Sequence, residues 1–160
     1  MKNKLSFFIL LALSLAIFSC KKNDSTPVTP APPTPEQMLS SSSWKIDELR
    51  FSQVNTSGGG TAYYYKRGVT GNISNFDNEN ILFLASNTGT YTLGSSNYPI
   101  TWQFTNAEKS KLQFIVTYSP TSSMTVFWEN VVLTSTTLKY AEYYTTTTGI
   151  TSLGSGTRIH

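Results

Sequence analysis

Few side chains in this 160-residue chain could do chemistry. It contains one cysteine, Cys20, and one histidine, His160, which is the last residue. Zinc and other transition-metal sites need several such ligands, so we expect no metal centre. A lone cysteine cannot form an internal disulfide. Chain ends are usually mobile, which makes His160 a poor candidate for acid–base chemistry.

Carboxylates are the next candidates. Asp47 and Glu48 are adjacent, and on a strand they point to opposite faces, so they cannot act as a pair unless a bulge realigns them. Residues 77–80 (Asp-Asn-Glu-Asn) offer oxygen ligands for a weak Ca²⁺ site, but they lack the glycine and bidentate glutamate of an EF-hand loop. We expect a solvated turn there. Since the chain also lacks a Gly-x-Ser-x-Gly elbow and a phosphate-binding loop, we expect no enzyme and no cofactor.

One cluster, Tyr63-Tyr64-Tyr65-Lys66-Arg67, sets aromatic rings beside cations. Such clusters can bind sugars or nucleic acid. The alternative, which we favour, is a strand with Tyr64 facing inward, Tyr63 and Tyr65 facing outward, and the basic residues at the following turn.

The first 18 residues have the build of an export signal. Lys2 and Lys4 precede an almost wholly apolar run, residues 5–18, which is shorter than the roughly 20 residues of a membrane span. An uncleaved anchor helix is the alternative. Without the two lysines, ten basic residues face nine acidic ones, and the formal charge falls from +3 to +1. This near-neutral balance predicts no nucleic-acid partner.

The segment Ile17-Phe18-Ser19-Cys20 resembles the lipobox of bacterial lipoproteins, with an aliphatic residue three positions before the cysteine and a small residue directly before it. The resemblance implies a signal peptide over residues 1–19. It also implies a diacylglycerol on the Cys20 thiol and an acyl chain, such as palmitate, on its new amine. Two or three chains anchor a protein firmly. We therefore expect a protein held by lipid in the outer membrane of the cell envelope, with the periplasmic or surface face left open.

Residues 20–35 read as a linker, because five prolines lie among Thr, Ser and small residues. Asp24-Ser25-Thr26 resembles the O-glycosylation site of Bacteroidetes-type proteins, which makes Ser25 a candidate for that modification. An unmodified linker is the alternative, and we favour it.

The remaining domain, residues 36–160, opens with a short helix and continues as strands. Thr34, Pro35 and Gln37 give a helix start with a capping box, and the helix is expected to seal one end of the domain. From Trp44 on, apolar residues alternate with polar ones, with parity slips that predict bulges near Asp47-Glu48 and between Trp128 and Val131. We expect Gly89 to take a positive φ in a turn, residues 145–156 to be a loop, and residues 157–160 to be a short strand or a frayed tail.

Short strands at hairpin spacing predict an all-β fold, a small antiparallel up-and-down β-barrel of about eight strands with a short N-terminal helix. A β-sandwich is the alternative. Six aromatic residues share the inward parity and either fill the interior or line a pocket: Trp44, Tyr98, Trp102, Phe104, Trp128 and Tyr140.

Several segments in order resemble the lipocalin-like domains of Bacteroidetes-type lipoproteins. The matching segments are Leu39 with Trp44-Lys45-Ile46, Ile81-Leu82-Phe83 with Thr88-Gly89-Thr90-Tyr91, Tyr98-Pro99-Ile100-Thr101-Trp102, and Leu133 with Thr137-Leu138-Lys139-Tyr140. The resemblance implies a lipocalin-like barrel that binds a small hydrophobic or amphipathic ligand, and it carries no catalytic residue. The alternative is a non-catalytic structural or protein-interaction component of an envelope complex, whose protein partner is unknown.

Overall fold

The computed structural model describes residues 30–54, 60–145 and 151–160. Residues 33–160 form one compact unit. The signal segment, Cys20 and Ser25 lie outside the described residues. Within the described part, no helix is long and apolar enough to cross a membrane.

The described residues contain one short helix, α1 (Pro35–Leu39), and otherwise strands, so the fold is all-β as predicted. The strands are β1 (Ser43–Val54), β2 (Gly60–Lys66), β3 (Glu79–Phe83), β4 (Thr88–Leu93), β5 (Ser96–Phe104), β6 (Leu112–Ser119), β7 (Ser122–Leu133), β8 (Thr137–Thr145) and β9 (Thr151–Ile159).

Eight of these strands close into an antiparallel barrel. From β3 to β9, each strand pairs with the next one along the chain. The long strand β1 completes the ring because Ser43–Lys45 pair with β3, while residues from Lys45 to Val54 pair with β9. Strand β2 lies outside the ring and pairs with β1 from Glu48 to Val54. The barrel is confirmed over the sandwich.

Both predicted bulges are present. The register between β1 and β9 shifts between Ile46 and Glu48, and the register between β7 and β8 shifts between Glu129 and Val132. Near the second bulge, Asn130 has a φ of 52°, a left-handed conformation that asparagine tolerates well. Each bulge moves later side chains of its strand to the other face, which explains the parity slips in the sequence.

Helix α1 packs against one end of the barrel. Its capping box is formed, since the Thr34 hydroxyl accepts from Gln37 N at 3.3 Å and Gln37 Oε1 accepts from Thr34 N at 2.9 Å. Leu39 is fully buried in the barrel core, and Trp44 Nε1 donates to its carbonyl at 2.8 Å. The helix therefore closes this end.

The expectation for Gly89 was wrong. The positive φ of this turn belongs to Asn87, at 62°, and Gly89 lies within β4. A Cβ at Gly89 would overlap the Leu82 carbonyl and come within 3.1 Å of the Ile100 side chain. Glycine is needed there for close approach of its neighbours.

The loop expected over residues 145–156 was also wrong, because Thr151–Ile159 form β9, the strand that closes the barrel against β1. Its inward positions are Ser152, Gly154, Gly156 and Arg158, so the strand has no apolar alternation to reveal it. Its pairing with both β8 and β1 holds it in place.

Candidate functional site

The six predicted interior aromatics fill part of the barrel. Trp44, Trp102, Trp128 and Tyr140 are buried, whereas Tyr98 and Phe104 are partly buried against the same cluster. Trp128 stacks on Tyr140 with ring centroids 4.0 Å apart. This cluster includes Leu39 of α1, so the interior is solid toward the helix.

Beyond this solid part, the barrel holds a partly open cavity of about 240 Å³. None of the six predicted aromatics is among the described residues that line it. Its walls are mainly apolar and aromatic, and three charged side chains join them. The lining residues are Ile46, Leu49, Phe51, Gln53, Phe76, Glu79, Tyr91, Phe114, Val116, Tyr118, Met124, Val126, Glu142, Tyr144 and Arg158.

The glycines of β9 leave space in the interior. A Cβ at Gly156 would run into the Tyr140 ring, and one at Gly154 would meet the β1 backbone and side chain at Phe51. Small residues at these inward positions therefore let large side chains from β8 and β1 occupy the interior in front of β9.

Two charged side chains pair inside the barrel. Arg158 Nη1 and Nη2 donate to the two carboxylate oxygens of Glu79 at 2.9 and 2.8 Å. Their side chains are only 4% and 1% exposed. Arg158 Nε also donates to the Tyr140 hydroxyl at 3.0 Å, and Nη1 to the Trp44 carbonyl at 3.1 Å. Although burial disfavours the charge, the Glu79 carboxylate raises the pKa of Arg158.

A second carboxylate, Glu142, lines the cavity. It shares the inward face of β8 with Leu138 and Tyr140, and its Oε2 accepts from Trp128 Nε1 at 2.8 Å. Burial raises the pKa of Glu142, while the Trp128 hydrogen bond and the charge of Arg158 oppose the rise. The side chain is partly accessible, and we attribute this to its position on the cavity.

A small side-chain cluster forms part of the barrel wall beyond the point where β1 stops pairing with β3. Tyr65 packs edge-on against Phe76 at 5.6 Å, and its hydroxyl donates to Asp77 Oδ1 at 2.6 Å. Burial and this hydrogen bond raise the pKa of Tyr65 to about 12. Ile46 and Leu49 complete the cluster, which brings the β2–β3 connection up to the cavity.

The predicted orientation of the tyrosine cluster was wrong. Tyr65 is buried at 1% exposure, whereas Tyr64 is exposed and lies under the Arg50 guanidinium at 4.9 Å. Tyr63 stacks on Phe51 at 4.5 Å. The cause is the β1 bulge: β2 pairs only with the part of β1 beyond the bulge, where Leu49 lies opposite Tyr65 and faces inward.

Sequence reasoning missed all three charged residues of the cavity. The solvated turn expected at residues 77–80 was wrong for Glu79, which begins β3 and is buried. Glu142 and Arg158 each lie two positions from an inward-facing residue on their strands, Tyr140 and Gly156. The sequence signal that could have revealed these two residues is a charged side chain at a strand position that faces inward.

The remaining sequence candidates lie away from the cavity. The bulge realigns Asp47 and Glu48, so that Lys66 Nζ lies 2.6 Å from one carboxylate and 3.6 Å from the other. His160 is held against Trp44, with ring centroids 3.9 Å apart. Among the residues described, no three His, Cys, Asp or Glu side chains are grouped to hold a metal ion.

A larger hollow, of about 640 Å³, lies on the outer surface beside Arg50, Tyr64 and Leu153. It is shallow and wide open, so it would leave most of a small molecule in water. The interior cavity is smaller but more enclosed, and we take it as the candidate site.

No family model, curated protein or solved structure matches this chain. The functional argument therefore depends on the fold and on the chemistry of the cavity.

Proposed function

We propose that this protein is a lipid-anchored lipoprotein of the cell envelope whose lipocalin-like barrel binds a small hydrophobic or amphipathic molecule. The observation that carries the proposal is the cavity of about 240 Å³ inside the barrel. This cavity lies just below the usual size of ligand sites, about 300–1,000 Å³, so it suits only a small molecule. Catalysis is not part of the proposal.

The composition of the cavity supports an amphipathic ligand over a purely apolar one. Apolar and aromatic walls such as Phe114, Val116 and Tyr118 favour burial of a hydrophobic body. Glu142 adds a polar group that fixes orientation. A few placed polar groups within an apolar lining are typical of small-molecule sites.

Native mass spectrometry of the protein purified from its own membrane tests the binding function. We expect a population that carries one non-covalent small molecule and loses it on collisional activation. Protein that is always free of any such molecule, and that gains none from an extract of its own membrane lipids and metabolites, would contradict binding.

The anchor has its own test. In a Cys20→Ser variant the thiol needed for acylation is absent, so we expect the protein to move from the membrane fraction to the soluble fraction or to keep its signal segment. A Ser19→Ala variant keeps a small residue before the cysteine and is the matched control. Membrane retention of Cys20→Ser with the mass of a processed, acylated chain would contradict the anchor.

The outer surface supports the second candidate, a structural or interaction component of an envelope complex. Phe127, Tyr143 and Leu153 lie side by side on β7, β8 and β9 and are exposed. If this row holds a protein partner, a complex of defined stoichiometry extracted in mild detergent should dissociate in Phe127→Ser and Leu153→Ser variants. Intact complexes in both variants would count against the row as an interface.

A further inference from the structure

The positive and negative side chains described as lining the cavity are not equal in number. Arg158 and Glu79 form a two-point ion pair and compensate each other. Glu142 is the remaining charged residue among those described as lining the cavity. When Glu142 is ionised, the lining therefore carries one positive and two negative charges.

Glu142 also has unused hydrogen-bonding capacity. Its Oε2 accepts the Trp128 indole hydrogen. Within the described part of the chain, the contacts of Glu142 include no donor to Oε1. An ionised carboxylate can accept about four hydrogen bonds, so a ligand that brings donors would find acceptor sites at this position.

Arg158 is a poor receptor for an acidic ligand. Its guanidinium already donates to Glu79, to the Tyr140 hydroxyl and to the Trp44 carbonyl. A ligand carboxylate that took over this guanidinium would displace Glu79 and leave it buried without its partner, which is costly. The same ligand would face repulsion from Glu142. The donor arrangement thus disfavours fatty acids and other anions.

The walls suit a cation. Six aromatic rings line the cavity, and the face of an aromatic ring attracts cations. They are Phe51, Phe76, Tyr91, Phe114, Tyr118 and Tyr144. The barrel already holds one cation in this way, since the Arg158 guanidinium carbon lies 5.3 Å from the Trp128 ring centroid and 5.8 Å from that of Tyr140.

We infer that the ligand of the cavity is a small organic amine, whose protonated head donates to Glu142 and whose apolar body contacts the aromatic walls. This inference rests on the proposed binding function and specifies its ligand class. Glu142 determines the preference for an amine. The ion pair of Arg158 and Glu79 keeps the other polar side chains of the cavity in a fixed arrangement.

Calorimetric titration of the detergent-solubilised full chain at pH 7 tests the inference with three probes that share one apolar body: 2-phenylethylamine, 2-phenylethanol and phenylacetate. We expect the amine to bind most tightly and phenylacetate most weakly. In Glu142→Gln, amine affinity should fall by about tenfold or more, as expected for the loss of a charged hydrogen bond. The affinity for the alcohol should stay close to that of the unaltered protein.

Glu129→Gln is the matched control, because Glu129 is exposed and paired with Lys111 on the outer surface. It should leave all three affinities unchanged and also accounts for partition of the probes into detergent. The Glu142→Gln chain should fold, since glutamine can still accept from Trp128, and circular dichroism checks this. The ranking of the three probes on the unaltered protein needs no variant at all.

Equal binding of amine and alcohol, tightest binding of phenylacetate, or an unchanged amine affinity in Glu142→Gln would overturn the inference and leave the proposed binding function in place. Failure of all three probes to bind would also overturn it. If, in addition, no small molecule co-purified with the protein, the proposed binding function would fail as well.

Discussion

Arg158 and Glu79, which lie 79 positions apart in the chain, meet inside the barrel through two parallel hydrogen bonds of 2.9 and 2.8 Å. Arg158 comes from the last strand, β9, and Glu79 from the first residue of β3. Between them runs β1, whose Trp44 carbonyl also accepts from Arg158. The pair thus ties together the three strands that close the barrel.

Removing one member of this pair should be far worse than removing both. Glu79→Leu leaves a buried guanidinium without its counter-charge, and the expected loss in the free energy of unfolding is about 3–5 kcal/mol. The double variant Glu79→Leu/Arg158→Met removes both charges and should lose markedly less. Urea unfolding of the two variants gives the comparison.

The surface pair of Lys111 and Glu129, 3.0 Å apart and about half exposed, is the control for that experiment. Glu129→Leu should change the free energy of unfolding by less than about 1 kcal/mol. A Glu79→Leu variant as stable as Glu129→Leu would contradict the prediction that the buried Arg158 guanidinium needs Glu79 as its counter-charge.

Gly156→Ala should destabilise the barrel although it adds one methyl group. The new Cβ would run into the ring of Tyr140, whose hydroxyl accepts from Arg158. Overpacking of this kind costs about 1–3 kcal/mol. Thermal unfolding measures the effect, with Ser155→Ala on the outward face of the same strand as control. Equal midpoints for the two variants would contradict the close packing.

Glu142→Gln should raise the thermal midpoint at pH 7 by a few degrees, because it removes a charge that desolvation disfavours. Besides burial, the groups that shift the pKa of Glu142 are the indole of Trp128, Arg158 and Glu79. Since the folded-state pKa of Glu142 is raised, the native protein binds its proton more tightly than the unfolded chain does. The ionised carboxylate therefore costs stability above its folded pKa.

That cost disappears as the pH falls through the raised pKa toward the ordinary value of 4.5. The stability gain of Glu142→Gln should accordingly be largest above the raised pKa and vanish in acid. Midpoints measured across this range for the variant and the unaltered protein decide the matter. A gain that grew on acidification would have the opposite sign and contradict a raised pKa.

The sequence predicted the parts of the fold that depend on local pattern. Alternation of apolar and polar residues from Trp44 on predicted strands such as β5, the parity slips near Asp47 and Val131 predicted the bulges, and Thr34 with Gln37 predicted the helix start. These features depend on side chains close together in the chain.

The site itself was beyond a local interpretation. Strand β9 presents Ser, Gly, Gly and Arg to the interior, so its inward face looks like a loop until its pairing with β1 is known. Glu79 belongs to a polar run, and its buried partner, Arg158, lies at the far end of the chain. Because β2 pairs with the part of β1 that follows the bulge at Asp47, Tyr65 faces inward and not outward as predicted.

The most direct test of ligand binding in the barrel compares two Val→Phe variants. Val116 is fully buried and lines the cavity, whereas Val132 is exposed on the outer face of β7. Native mass spectrometry of both variants, purified from their own membrane, would measure the fraction of each that carries a small molecule. We predict that Val116→Phe loses the molecule while Val132→Phe keeps it at the level of the unaltered protein. Equal occupancy in a correctly folded Val116→Phe would contradict binding in the cavity.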